Sequence, residues 1–168
     1  MGGIAGKMNW GTASKLEVTN ASITGSKEVG GIVGYASAES TLTIEQAVFN
    51  GNVYGSYSGG IIGYPNYTKV NISNSYTTGY SKVAGISGYK ANSISNCYTT
   101  MKVGSYPIAS ISSNTEGVFW NSSTAGVTSS RYGTAKTTAE LQQASTFAGW
   151  DTSIWNIEDG KYPTLKWE

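Results

Sequence analysis

The chain reads as an all-β protein: a parallel β-helix, or β-solenoid, of about five coils, closed by a C-terminal cap that contains a short helix. Three features point there. A Gly-Gly-Ile-x-Gly motif returns at a nearly constant interval, apolar residues alternate with period two inside each unit, and the repeat stops before a tryptophan-rich tail. Self-similarity at periods of about 20 to 50 residues marks solenoids, propellers and arrays.

The motif stands at Gly2 to Gly6, Gly30 to Gly34 and Gly59 to Gly63. Ala84-Gly85-Ile86-Ser87-Gly88 keeps most of it. Ala109-Ser110-Ile111-Ser112-Ser113 keeps the isoleucine and loses the glycines. The register isoleucines are then Ile4, Ile32, Ile61, Ile86 and Ile111, at spacings of 28, 29, 25 and 25. The glycines are expected at corners with positive φ, where a residue without Cβ is favoured, and are expected to leave room for the chain to bend inward.

Each unit carries a second alternating element: Leu16 and Val18, Leu42 and Ile44, Val70 and Ile72, then Ile94 alone. Such alternation is the signature of strands. Two residues on, an amide recurs at Asn20, Gln46, Asn74 and Asn96, the arrangement expected of an amide ladder bonded coil to coil. Turn residues follow at Gly25, Gly51 and Gly79, with Met101 at the matching place.

A unit this short cannot bury a core alone and must stack on its neighbours. Stacking at about 4.8 Å places the register isoleucines in one interior ladder. It also predicts an aromatic column of Tyr35, Tyr64 and Tyr89, whose side of the wall the sequence leaves open.

Residues 1–133 are read as the repeats and 134–168 as the capping segment. Thr137-Thr138-Ala139-Glu140 is a capping-box pattern and opens a short helix to about Ser145. Phe147, Trp150, Trp155, Ile157, Tyr162, Leu165 and Trp167 follow, apolar bulk suited to covering the last coil. At the other end the motif opens at Gly2, which predicts further coils upstream as a partner for the first one.

These residues resemble the GLUG-motif repeats of bacterial cell-surface proteins. Gly30 to Tyr35 and Gly59 to Tyr64 are the nearest copies, and Asn74-Ser75-Tyr76-Thr77-Thr78-Gly79 and Asn96-Cys97-Tyr98-Thr99-Thr100 are similar to the second half of that repeat. The run Gly149-Trp150-Asp151, Trp155 and Tyr162 to Trp167 is similar to the ending found after such repeats. The resemblance spans nearly the whole chain. It implies a secreted or surface-anchored parent, such as an adhesin, a haemagglutinin-like protein or an immunoglobulin A peptidase of the M26 type, and it supplies no catalytic residue.

Composition narrows the chemistry. Charged residues are 12% of the chain against about 25% in ordinary domains, and the net charge is +1. Nucleic acid is therefore not an expected partner. No apolar run reaches the roughly 20 residues of a membrane helix, so membrane insertion is not expected either. There is no histidine, which removes Ser-His-Asp and Cys-His nucleophiles and His-based zinc sites; Cys97 is the single cysteine. No calcium-binding repeat pattern is present. The expectation is a non-enzyme with no catalytic, metal or cofactor site.

Between Glu45 and Glu116 there is no acidic residue, while Lys69, Lys82, Lys90 and Lys102 fall there, a mild positive bias. The candidate ligand face comprises Tyr35, Tyr64 and Tyr89 with Tyr76, Thr78, Tyr98 and Thr100, all expected in stacked columns. Three functions fit: a structural or adhesive module, a carbohydrate-binding module that uses the tyrosines, and an accessory domain of a larger surface peptidase. The partners these imply are host glycans or extracellular proteins.

Overall fold

The computed structural model describes residues 1–37 and 39–168, with the side chain of Ser113 outside that description. The chain is all-β. Its strands are β1 (Ala5–Lys7), β2 (Gly11–Thr24), β3 (Glu28–Gly30), β4 (Val33–Ser37), β5 (Thr41–Tyr54), β6 (Tyr57–Gly59), β7 (Ile62–Asn66), β8 (Lys69–Ser73), β9 (Tyr76–Ser81), β10 (Ser87–Thr99), β11 (Lys102–Val103), β12 (Ala109–Asn121), β13 (Thr134–Lys136), β14 (Trp155–Asn156) and β15 (Thr164–Leu165).

Strands pair in parallel with their counterparts one repeat later; β14 and β15, which are antiparallel, lie outside the repeats. One column runs Ala5, Val33, Ile62, Ser87 and Ala109, its last two steps along the chain shorter than its first two. The interior is one apolar cluster from Ile23 to Ala125, the result of units that bury their alternating face only against each other.

The isoleucine ladder forms, with one correction. Backbone amides of Ile4, Ile32, Ile61 and Ile86 donate to the carbonyls of Ile32, Ile61, Ile86 and Ile108 at 2.9 to 3.1 Å. The fifth member is therefore Ile108. It is fully buried, whereas Ile111 is 41% exposed and pairs with Lys90. The last repeat is shorter than its predecessors and has lost the glycines that would anchor its register, so the sequence motif alone points to the wrong isoleucine.

Three further registers shift in the first unit. Gly11 and Ala13, not Leu16 and Val18, stack on Leu42 and Ile44. Lys15, not Asn20, is the counterpart of Gln46, because the pairs Ser14–Glu45 and Leu16–Ala47 flank it. Asn20 lies instead in an irregularity between Val18 and Ala21. Ala21 stacks on Gly51, and Gly25 belongs one turn further on, beside the carbonyl of Tyr54.

The true column is Lys15, Gln46, Asn74, Asn96 and Gly117, and all five have φ between 47° and 58°. This is a left-handed corner repeated down the stack. Asn is the residue with a side chain that tolerates it best, and glycine takes over at the last position. The amide column is therefore a conformational one: Asn74 Oδ1 accepts from Trp155 Nε1 at 3.3 Å instead of bonding coil to coil.

For the motif glycines the expected positive φ is corrected, while close approach accounts for them. None of those in Gly30 to Gly34 or Gly59 to Gly63 has positive φ. They are required by close approach. A Cβ on Gly31 overlaps the carbonyl of Gly60 and the ring of Phe49, and one on Gly60 meets Thr77 Cγ2 at 2.7 Å and Met101 Sδ at 2.9 Å. The second glycine of each motif thus makes room for the column Val18, Phe49, Thr77, Thr99 that crosses from the opposite wall.

The two ends differ. Beyond β12, Ala125, Val127 and Tyr132 pack on the interior cluster, and Val103 donates to the Ala125 carbonyl at 2.9 Å. This stretch, read as repeat, covers the last rung. The first rung is uncovered, with Ile4 50% and Trp10 72% exposed.

Candidate functional site

The C-terminal segment makes a site of its own, and it lies against the side of the stack. Thr137 and Glu140 form the expected reciprocal capping box: Thr137 N donates to Glu140 Oε2 at 2.7 Å and Glu140 N to Thr137 Oγ1 at 3.2 Å. The box opens two 3-10 turns, Glu140–Gln142 and Ala144–Phe147, in place of an α-helix through Ser145. Its hydrogen bonds hold the Glu140 carboxyl below its ordinary range.

Leu141, Phe147, Trp150, Trp155 and Leu165 then form a second apolar cluster with Val48 and Tyr98, joined by Tyr76 and Phe119. Val48, Tyr76, Tyr98 and Phe119 are one column of the wall. The tail is therefore a lateral cover over this column and not a lid on the terminal rung, because the unsatisfied apolar surface was on the flank.

This cover decides the fate of four candidate ligand residues. Tyr76 and Tyr98 stack at 5.0 Å and 6°, and Tyr162 continues the stack at 6.1 Å and 7°. Tyr98 is buried and donates to the Pro163 carbonyl at 2.8 Å; Tyr76 is half-buried and donates to Glu168 Oε2 at 2.7 Å. Burial, first of all, pushes both phenols above their ordinary value. The Tyr98 hydroxyl is thus taken up within the fold. Thr78 and Thr100 stay half-exposed and, with Tyr76, Tyr98, Tyr162 and Thr164, line a hollow of about 170 Å³ at the edge of the cover. Their neighbours Thr77 and Thr99 point inward, with the two Oγ1 atoms 2.7 Å apart.

The other column stands on the opposite footing. Tyr35, Tyr64 and Tyr89 are half-buried on the outer wall, stacked at 6.1 Å and 1°, then 4.6 Å and 22°. Tyr57 leans on Tyr64 at 4.5 Å, and the Lys7 ammonium lies 5.7 Å from the Tyr35 centroid. Hydrogen bonds from Ser37 and Asn66 lower the Tyr35 phenol, while burial and the neighbouring rings raise that of Tyr64. A ring stacks on a sugar through its face. The faces of Tyr64 are taken by its neighbours, and one face of Tyr35 by Tyr64, so these two rings offer mainly edges and hydroxyls.

The sequence reading missed Tyr67. It is 81% exposed, sits at φ 60° between β7 and β8, and stands between two grooves of about 430 and 370 Å³. Its signal was available: an aromatic outside the alternating pattern, at the turn between two short strands.

Among the described residues, no cluster of three or more His, Cys, Asp or Glu is placed to hold a metal ion, and no helix is long and apolar enough to cross a membrane. Compared with known proteins, the chain matches no family model, no curated protein and no solved structure.

Proposed function

We propose that the chain is a parallel β-helix of about five coils, a non-catalytic structural or adhesive module of the GLUG-repeat kind, carried on the surface of a bacterial cell or secreted. The observation that carries this reading is the parallel, in-phase pairing of five successive units around one apolar interior. Stacked units of this kind gain strength from each interface between neighbours, which suits a stiff projecting element. Residues 1–133 are the stack with its terminal cover, and 134–168 its last short rung and lateral cover.

The non-catalytic part rests on residue types. The chain has no histidine to act as a base, and the hydroxyl–carboxylate pairs Thr137–Glu140 and Tyr76–Glu168 belong to the capping box and to the lateral cover. The adhesive part rests on an outer wall of tyrosine, amide and hydroxyl groups with little charge, suited to host glycans or extracellular proteins. Displaying the chain on a non-adherent bacterium tests both parts. Attachment to an extracellular-matrix surface, with no turnover of peptide or glycoside substrates, is the expected result. Turnover would overturn the non-catalytic reading, and a folded chain that confers no attachment would reduce the role to a spacer.

A further inference from the structure

We infer that the groove between Tyr67 and Tyr89 is a binding site for an acidic oligosaccharide, one bearing carboxylate or sulfate groups. This goes beyond the adhesive reading by naming a place and a ligand chemistry. The groove, of about 430 Å³, lies where the turn after β7 meets β10 of the next rung, and Asn66, Tyr67, Lys69, Tyr89, Lys90 and Asn92 line it.

Three features converge on it. Tyr67 holds an aromatic ring out into solvent on a left-handed backbone, at φ 60° and 81% exposure. A non-glycine residue in that region is strained, and burial of the ring does not offset the strain here. Tyr89 is the end of its column: Tyr64 stacks on one face, Tyr57 meets the ring at 5.9 Å in an edge-on contact, and among the described residues no further ring stacks on it. The groove thus carries aromatic surface that the Tyr35–Tyr64 pair lacks.

The second feature is charge. Neither Lys69 nor Lys90 forms an ion pair among the described residues, and no acidic residue lies between Glu45 and Glu116. Glu39 lies across Tyr67, in the adjoining groove that Lys69 also lines. Two ammonium groups in a concave site attract an anionic ligand.

The third is hydrogen bonding. Asn66 and Asn92 flank the rings, and Asn92 is fixed by donating to Asn71 Oδ1 at 2.8 Å. Amides offer both donors and acceptors, as vicinal sugar hydroxyls require. A ring face for the apolar side of a sugar, amides for its hydroxyls and ammonium groups for its acid together describe an acidic saccharide better than a peptide, which would ask for an apolar side-chain pocket.

Calorimetric titration of the whole chain with tetragalacturonate, a heparin-derived tetrasaccharide and neutral cellotetraose tests this. Saturable binding of at least one acidic probe is expected, weakening as salt rises, with cellotetraose roughly tenfold weaker or undetectable. Lys69→Gln combined with Lys90→Gln, and separately Tyr67→Gly, should each weaken it by about tenfold or more. Tyr67→Gly relieves the backbone strain, so its Tm should hold or rise while binding is lost. No saturable binding of either acidic probe, equal binding of cellotetraose, or affinity indifferent to these substitutions would overturn the site. Such a failure leaves the surface-module reading intact, since attachment and turnover test that separately.

Discussion

An alanine at Gly31 would drive its Cβ into the Gly60 carbonyl and the Phe49 ring, both held by neighbouring rungs. Backbone and a buried ring cannot give way cheaply, so Gly31→Ala should cost on the order of 3 kcal/mol in urea unfolding. Gly6→Ala, with open space around it, is the control and should change little. Cys97 makes the opposite case. Its Sγ lies 3.1 Å from the Ser95 carbonyl oxygen, the place that Ser75 Oγ takes over the Ser73 carbonyl, at 2.7 Å, one rung before. Cys97→Ser should therefore shift stability by no more than about 1.5 kcal/mol. Burial pushes the Cys97 thiol up from 9.0 to about 12. A raised folded-state value means stability that is complete below the unfolded value and is lost as pH rises towards the folded one. Thermal scans should show Tm falling above about pH 9. In Cys97→Ser the fall should begin about one unit later, where unfolded tyrosines ionise and the buried Tyr98 resists ionisation.

Among the elements, the lateral cover joins distant parts of the chain. Trp155 is buried, contacts Tyr76, Tyr98 and Trp150, and reaches Asn74 through its indole nitrogen. Trp155→Ala should destabilise by about 3 to 5 kcal/mol, and it should also expose Tyr98, seen as a rise in tyrosine solvent accessibility by ultraviolet difference absorption. The strands were legible because alternation and the isoleucine spacing report directly on an inward face. The cover's position was not. A run of tryptophans states that apolar surface needs a partner but not which surface, and Val48, Tyr76, Tyr98 and Phe119 become one column only once the rungs are in register. The capping box was legible, yet its reciprocal bonds open a 3-10 turn, because Thr146 Oγ1 and the Asp159 carboxylate take backbone partners that a continuing helix would need. The fifth rung was misplaced for a related reason: with Pro107 and Ser110 where glycines had stood, only burial distinguishes Ile108 from Ile111.

For the whole molecule, everything rests on units far apart in sequence standing directly above one another. Thr12 and Asn114 are both exposed and belong to one column, through Thr43, Asn71 and Ser93. Four steps at the spacing of neighbouring strands separate their backbones by about 19 Å. Nitroxide labels at Thr12→Cys and Asn114→Cys, in the Cys97→Ser background, report that distance by double electron–electron resonance. Stacked rungs predict a narrow distribution centred at about 20 Å, four strand spacings widened only by the label arms. A centre beyond about 30 Å, more than six strand spacings, or a broad distribution in a chain with a β-rich circular dichroism spectrum, would be incompatible with the stack.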